Sequence, residues 1–146
     1  DFQYAHGRAA TARLLALPAA RRPDAIFCAN DLIAVGALHA LLAGGVRVPE
    51  DVALVGMDDT DLAQMSFPQI SSVSLGAEQR GAIAADLLLT RLASPELAPR
   101  RETVAPRLAV RTSSAGTTAP DGTSGRTAER ASDDMAGTAR PGQDGR

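Results

Sequence analysis

The chain has 146 residues, 45% of them hydrophobic, with a formal net charge of -2 and a pI near 5.6. This length suffices for one ordinary domain, and the absence of a global basic field gives no argument for direct nucleic-acid binding. The single cysteine, Cys28, excludes an internal disulfide and is expected to be a small core residue in a reducing compartment. No apolar stretch is long enough to span a membrane, and no signal peptide opens the sequence.

The first third of the chain alternates between helical and strand patterns. An alanine-rich stretch with three leucines predicts a helix over residues 4–17, which Pro18 ends. The apolar run 25–29 predicts a short strand, buried on both faces of a parallel sheet. A helix over 31–43 follows, for which Gly44 is the expected left-handed terminator. Its expected apolar face consists of Leu32, Val35, Leu38 and Leu42.

The next part of the chain continues the alternation of strands and helices. Strands are predicted over residues 52–56 and from 70 to 73 or beyond, followed by a helix over 77–93. Short final strands are predicted at 103–104 and 108–110. This order predicts the α/β fold class with a parallel sheet.

The composition changes after Arg111. Gly, Ser, Thr, Ala and charged residues dominate, and Met135 is the only large apolar side chain in the remainder. Such a segment buries too little apolar surface to offset its ordering entropy. We therefore expect residues 115–146 to form a disordered tail.

Short polar side chains follow both of the first two strands. Asn30 and Asp31 come after the first strand, and Asp58 and Asp59 come after the second. In an open α/β sheet, ligands bind beyond the carboxyl ends of the strands, and such amide and carboxylate groups suit a polyhydroxylated or amine-bearing molecule. Helix capping by Asn30 is an equally good interpretation, Asp31 is expected to support the first helical turn, and a plain polar loop is the default for residues 58–61.

No signature of an enzyme is present in the sequence. The motifs GxGxxG, GxSxG and HExxH and the P-loop are absent. His6 and His39 have no nearby Cys or His partner and are expected to be surface or interface residues. Asp58 and Asp59 are adjacent at a strand end, so their side chains should point apart, which argues against acid/base catalysis. We expect no catalytic residue, cofactor or metal, although an α/β enzyme that uses Asp58 and His39 stays a minor alternative.

Several motifs together resemble the sensor core of the LacI/GalR family of bacterial transcriptional regulators. They are, in order, P-x-A-I-F-x-x-N-D, A-x-G-A-L-x-A-L, V-P-E-D-V-x-L-V-G-x-D-D, P-x-I-S-S-V and the closing V-R-T-S-S. The resemblance covers residues 1–114 and implies one half of a periplasmic-binding-protein-like core that closes over an effector. It also implies that Asn30 and Asp58 hydrogen-bond the effector and that Phe2 is an aromatic platform beneath it.

The same resemblance implies a larger protein and particular partners. In the family, an N-terminal helix-turn-helix binds operator DNA as a dimer, so operator binding is expected only through a part missing here. Helix 77–93 and strand 103–104 would complete the missing subdomain, which leaves their apolar faces without partners. We expect a cytoplasmic homodimer with a small-molecule effector, a sugar or related metabolite, and no membrane contact. A sugar-binding protein of a transport system is the alternative.

Overall fold

The computed structural model describes residues 3–115, so residues 1–2, which include Phe2, and residues 116–146 lie outside the described part of the chain. The elements in chain order are α1 (Tyr4–Leu15), a 3₁₀ turn (Ala19–Arg21), β1 (Ala25–Phe27), α2 (Asp31–Ala43), β2 (Ala53–Met57), α3 (Asp61–Met65), β3 (Ser71–Ser74), α4 (Ala77–Ala93), β4 (Arg107–Ala109) and α5 (Thr112–Ala115). Within residues 3–115, no helix is both long and apolar enough to cross a membrane.

The four strands form one sheet in the order β1-β2-β3-β4. The pairs β1–β2 and β2–β3 are parallel, with Phe27 opposite Val55 and Gly56 opposite Ser72. Strand β4 pairs antiparallel with β3 and adds an edge that the sequence analysis did not specify. The predicted α/β class is confirmed, and the carboxyl ends of β1, β2 and β3 lie at one edge of the sheet.

Most predicted elements are present, with shifted ends. The helices predicted over 31–43 and 77–93 have these bounds, whereas the first helix ends at Leu15 and a 3₁₀ turn follows Pro18. The strand predicted at 103–104 is wrong, because these residues have no strand partner in the described part. The short helices α3 and α5 were not predicted, since four or five residues are too few to show helical periodicity. Helix α5 extends one residue into the predicted tail.

Strand β1 is not buried on both faces, contrary to the sequence-based expectation. It is an edge strand with β2 as its one strand neighbour, and the side chain of Phe27 is 59% exposed. The apolar run indicated a strand correctly, but periodicity gives no information about its position in the sheet. Cys28, directly after the strand, is buried as expected.

The buried face of α2 also differs from the predicted one. Among the predicted residues, Leu38 is buried but Leu42 is 44% exposed. The buried residues are instead mostly small, because α1 crosses α2 at very short range. A Cβ atom on Gly7 would be 2.1 Å from the carbonyl oxygen of Ile33, and one on Gly36 would be 2.1 Å from that of Tyr4. The buried apolar residues of α2 are Ala34, Ala37, Leu38, Ala40 and Leu41.

The left-handed residue after α2 is one position later than predicted. Gly44 has φ -83°, and it is Gly45 that adopts the left-handed conformation with φ +72°. The amides of Gly45 and Val46 donate to the carbonyls of Leu42 and Leu41, each at 3.0 Å. This pattern satisfies carbonyls at the helix end and turns the chain toward β2.

Helix α4 has no buried residue among its 17 positions. Its leucines Leu88, Leu89 and Leu92 are 58%, 66% and 68% exposed. By contrast, the core around β2 includes Leu38, Leu41, Leu54 and Ile70, each at most 1% exposed. Ile83 and Leu87 on the same helix are half-buried, so the helix exposes most, but not all, of its apolar side chains among the described residues.

Candidate functional site

The candidate site lies at the carboxyl edge of the sheet, where β1 and β2 turn into helices. The backbone pairing of the two strands continues beyond β1, since the amide of Cys28 donates to the carbonyl of Val55 at 2.8 Å. Asn30 follows β1 by three residues, and Asp58 directly follows β2. The two sequence-predicted polar residues therefore belong to turns that leave neighbouring parallel strands at the same edge.

Asn30 is the N-cap of α2. Its Oδ1 atom accepts a hydrogen bond from the amide of Ile33 at 2.8 Å, and its backbone is extended. One free helix amide is thereby satisfied. The side chain is half-buried, and its amide nitrogen retains two donor positions. The capping interpretation is confirmed, and it leaves the donor side of the amide for a ligand.

Asp31 has a larger structural role than the predicted support of a helical turn. It is 1% exposed, and its Oδ2 atom accepts hydrogen bonds from the amide and the hydroxyl of Thr60, at 2.6 and 2.8 Å. Its Oδ1 atom accepts from the Ser72 hydroxyl at 2.6 Å. One buried carboxylate thus connects the start of α2 to the loop after β2 and to β3.

The two aspartates after β2 occupy the left-handed region of backbone conformation. Asp58 has φ +98° and Asp59 has φ +55°. Residues other than glycine rarely adopt this region, and the backbone of Asp58 is the more strained of the two. The amide of Asp58 donates to the carbonyl of Val73 at 2.9 Å, which holds the turn against β3. The Asp58 side chain is exposed at the edge of the sheet.

The side chain of Asp59 is directed to different partners. Its Oδ1 atom accepts from Nη2 of Arg111 at 2.5 Å, in an ion pair whose side chains are 14% and 22% exposed. Its amide donates to the Ser72 hydroxyl at 3.0 Å. The guanidinium of Arg111 also donates to the carbonyl of Ile70 at 2.8 Å. Asp59 is therefore a structural residue that fixes the turn carrying Asp58.

A cavity of about 390 Å³ opens beside Asp59 at this edge of the sheet. It lies between the end of β3, the antiparallel strand β4 and the start of α4, and its polar side chains are Asp59, Ser74, Gln79 and Arg107. Asn30 and Asp58 are not part of its lining. The carboxylate, amide, hydroxyl and guanidinium groups together provide both donors and acceptors for hydrogen bonds.

The described residues contain neither a reactive cysteine nor a group of side chains that could hold a metal ion. The Cys28 thiol is buried, and burial, with a smaller contribution from the charge of Asp31, raises its pKa to about 11. Since the thiolate is the nucleophile, this cysteine is unreactive near neutral pH. Over residues 3–115, no three His, Cys, Asp or Glu side chains are grouped to hold a metal ion. The ring nitrogen Nδ1 of His39 is 2.8 Å from the hydroxyl of Tyr4.

Sequence reasoning missed Arg111, Ser72 and Ser113, which hold the site from β3 and the C-terminal segment. The Ser113 hydroxyl donates to the carbonyl of Leu54 at 2.5 Å and accepts from the amide of Ser71 at 2.8 Å. These contacts join residues that are 41 or more positions apart in the chain. The S-S-V and V-R-T-S-S motifs were the available signal, but they carried no information about which residues they contact.

Residues 2–114 match the family model for the periplasmic binding protein-like domain. Among curated proteins, the chain is 41% identical over 90 residues to the probable HTH-type transcriptional repressor ExuR of Bacillus subtilis, an alignment that covers 62% of this chain and 26% of that protein. The chain spans about a quarter to a third of the length of the curated relatives it matches.

Solved structures of similar proteins have the same fold over most of the described residues. A CelR transcriptional regulator in complex with cellobiose is 42% identical with a TM-score of 0.69, covering 77% of this chain and 34% of that one. A LacI family transcriptional regulator from Lactobacillus casei, with bound sucrose, is 31% identical with a TM-score of 0.68, covering 77% and 41%. The sequence motifs and the fold thus lead to the same group of proteins.

Proposed function

This chain belongs to the periplasmic binding protein-like domain family, as a sensor domain of the LacI/GalR type, and on that premise we propose that it binds a sugar at the carboxyl edge of its sheet. The observation that carries the proposal is the pair of turns that leave β1 and β2 at one edge, each with a polar side chain available for a ligand. Asn30 offers its amide donors, and Asp58 offers an exposed carboxylate that accepts from sugar hydroxyls.

The rigidity of the Asp58 turn supports this assignment. Asp58 is exposed and has a strained backbone, yet its own side chain contributes no hydrogen bond to the fold among residues 3–115. Strain of this kind persists where surrounding contacts enforce it, and it clusters at ligand sites. Here the Asp59–Arg111 ion pair and the Asp31–Thr60 hydrogen bonds provide that enforcement. Two solved relatives contain cellobiose and sucrose, which fits a polyhydroxylated ligand.

A regulator that couples sugar binding to operator DNA is the proposed whole-protein function. The sugar would be enclosed between this half and a second subdomain, and closure would shift the population of DNA-binding states. The DNA contact would come from a helix-turn-helix elsewhere in the longer protein, in the cytoplasm. The exposed leucines of α4 would be covered by the second subdomain. Phe2, the proposed aromatic platform under the sugar, lies outside the described residues.

We also propose a homodimer formed through the region of α2 and α3. Met65 and Phe67 are 82% and 92% exposed, and Leu42 and Leu62 are 44% and 45% exposed. Aromatic and methionine side chains are enriched at the centres of protein interfaces. Sedimentation velocity should show a dimer that the Met65→Ser/Phe67→Ser double variant converts to a monomer, while the matched Leu97→Ser change has no effect. A dimer that is indifferent to the double variant would place the interface elsewhere.

Binding of sugars to the 146-residue chain tests the proposed site. We expect cellobiose, sucrose or glucose to shift the backbone amide NMR signals of Asn30 and Asp58 in a concentration-dependent way. Asp58→Asn and Asn30→Ala should weaken that binding, whereas Asp24→Asn, an exposed carboxylate at the opposite end of the strands, should not. Shifts that are confined to other regions, or are equal in all variants, would refute the site.

A second measurement tests the coupling to DNA. In the longer regulator, Asn30→Ala and Asp58→Ala should weaken the response to the effector and leave operator affinity in its absence largely unchanged. Fluorescence anisotropy of labelled operator DNA, titrated with sugar, measures both quantities. Sugar binding without any operator binding would favour the alternative function, a sugar-binding protein of a transport system.

A further inference from the structure

A second cavity lies at the end of the sheet opposite to Asn30 and Asp58. It has a volume of about 390 Å³ and is bounded by the ends of α1 and α2 and by the starts of β1 and β2. Its lining combines apolar side chains, among them Leu15, Ile26, Leu41 and Val52, with the charged residues Arg22, Asp24 and Asp51. Since parallel strands run from this end toward the proposed sugar site, the length of the sheet separates the two sites.

One polar side chain is directed into this cavity without a partner. Thr11 lines the cavity and is only 2% exposed. Its hydroxyl has no hydrogen bond to any of residues 3–115. In that part of the chain, every side-chain nitrogen or oxygen that is fully shielded from solvent has a hydrogen-bond partner. Because the Thr11 hydroxyl has no such partner, it is not fully shielded, and the cavity is the space from which a ligand reaches it. A nearly buried hydroxyl without a protein partner is a position at which a ligand with a hydrogen-bonding group gains a bond.

The charged residues at the rim are largely engaged with other groups. Asp51 accepts hydrogen bonds from the amide and from Nε of Arg47, each at 2.9 Å. The Nε atom of Arg22 donates to the carbonyl of Leu17 at 3.0 Å. Asp24 is exposed at the mouth. The cavity therefore combines apolar surface and the Thr11 hydroxyl with charges of both signs at its rim. This composition suits an amphipathic molecule without net charge.

We propose that this cavity binds a small neutral amphipathic molecule, with a compact aliphatic or alicyclic body and one hydroxyl that pairs with Thr11. The ring or chain would contact the apolar walls formed by α1, α2 and the starts of β1 and β2. Because such a ligand touches both helices and binds the folded chain, it stabilises the fold in proportion to its occupancy. This site does not depend on the proposed sugar site, and its residues are different.

Cyclohexanol is a suitable probe of the cavity in the full 146-residue chain. We expect it to shift the amide NMR signals of Thr11, Gly44, Gly45 and Val46, all of which line the cavity, while those of Asn30 and Asp58 stay unchanged. Thr11→Val preserves the shape and removes the hydroxyl, so affinity should fall roughly fivefold, the loss of one hydrogen bond of about 1 kcal/mol. The matched change Thr103→Val, at an exposed position, should have no effect.

A second variant tests the cavity independently of the hydroxyl. Ala19 is exposed and lines the cavity, so Ala19→Phe should fill part of the space and reduce cyclohexanol binding at least tenfold without unfolding the chain. The proposal is overturned if no shifts occur at these amides. It is also overturned if the shifts concentrate on the exposed leucines of α4, or if both Thr11→Val and Ala19→Phe leave the affinity unchanged.

Discussion

The Asp31 carboxylate and the Ser72 hydroxyl lie 2.6 Å apart, although 41 residues separate them in the chain. The contact passes beside β2 at Gly56, where a Cβ atom would be 2.4 Å from Oδ1 of Asp31. The absence of a side chain at Gly56 therefore lets the start of α2 reach β3. This explains in physical terms why a glycine precedes the Asp-Asp turn that carries the proposed sugar ligand.

Replacing Asp31 should destabilise the fold strongly. Asp31→Ala leaves the Ser72 hydroxyl and both donors of Thr60 without their acceptor, and we expect a loss of about 2–4 kcal/mol in the free energy of unfolding. Urea unfolding followed by circular dichroism measures this loss. Asp61→Ala, which removes an exposed carboxylate from the first turn of α3, should cost less than about 1 kcal/mol. Equal losses for the two variants would contradict the role of Asp31 as a structural centre.

The α1–α2 crossing should distinguish between two glycines. Gly7→Ala places a Cβ atom against the backbone of Ile33, and the helices must separate, at a cost of about 3 kcal/mol or more for such overpacking. Gly81→Ala has no atom within 4 Å of the new Cβ and should stabilise α4 by about 0.5–1 kcal/mol. Thermal unfolding of both variants tests this contrast. A stabilising Gly7→Ala would show that the crossing is looser than described.

The neighbouring hydroxyls of Thr112 and Ser113 should contribute to stability unequally. Ser113→Ala removes both hydrogen bonds that this hydroxyl makes to the backbones of β2 and β3, and should cost about 1–3 kcal/mol. Thr112→Ala affects an exposed hydroxyl with one long bond of 3.3 Å to the carbonyl of Gln69, and should change stability by about 0.5 kcal/mol or less. Denaturant midpoints give both values, and the reverse order would refute this description of the closing segment.

The Cys28 thiol should be unreactive and should make stability depend on alkaline pH. Its pKa is about 11 in the folded chain, against an ordinary value of 9.0. Between pH 9 and 11 the unfolded chain therefore loses the thiol proton while the folded chain retains it, so stability falls as the pH rises through this range. Cys28→Ala should lack this part of the fall. At pH 8, a thiol reagent should label the folded wild-type chain far more slowly than the same chain in urea.

Local patterns were sufficient to predict the class of fold and the strand ends at which the sugar site is proposed. The bounds of α2 and α4, the cap at Asn30 and the strand ends before Asn30 and Asp58 depend on residues close together in sequence. Hydrophobic periodicity, capping and turn residues report such local features directly. The resemblance to a family then added the effector-binding roles of Phe2, Asn30 and Asp58, which stay predictions.

Other features depend on contacts between distant residues, and local patterns do not report them. The exposure of Phe27 follows from the edge position of β1, and the alanine face of α2 follows from the close approach of α1 at Gly7. The partners of Asp31 and Asp59 come from β3 and from Arg111, 41 and 52 residues away. The sequence by itself thus determined which segments are helices and strands and where polar side chains leave the sheet. Only the tertiary structure decided which of these side chains have hydrogen-bond partners within the fold and which do not. That distinction depends on residues that strand pairing and helix packing bring together.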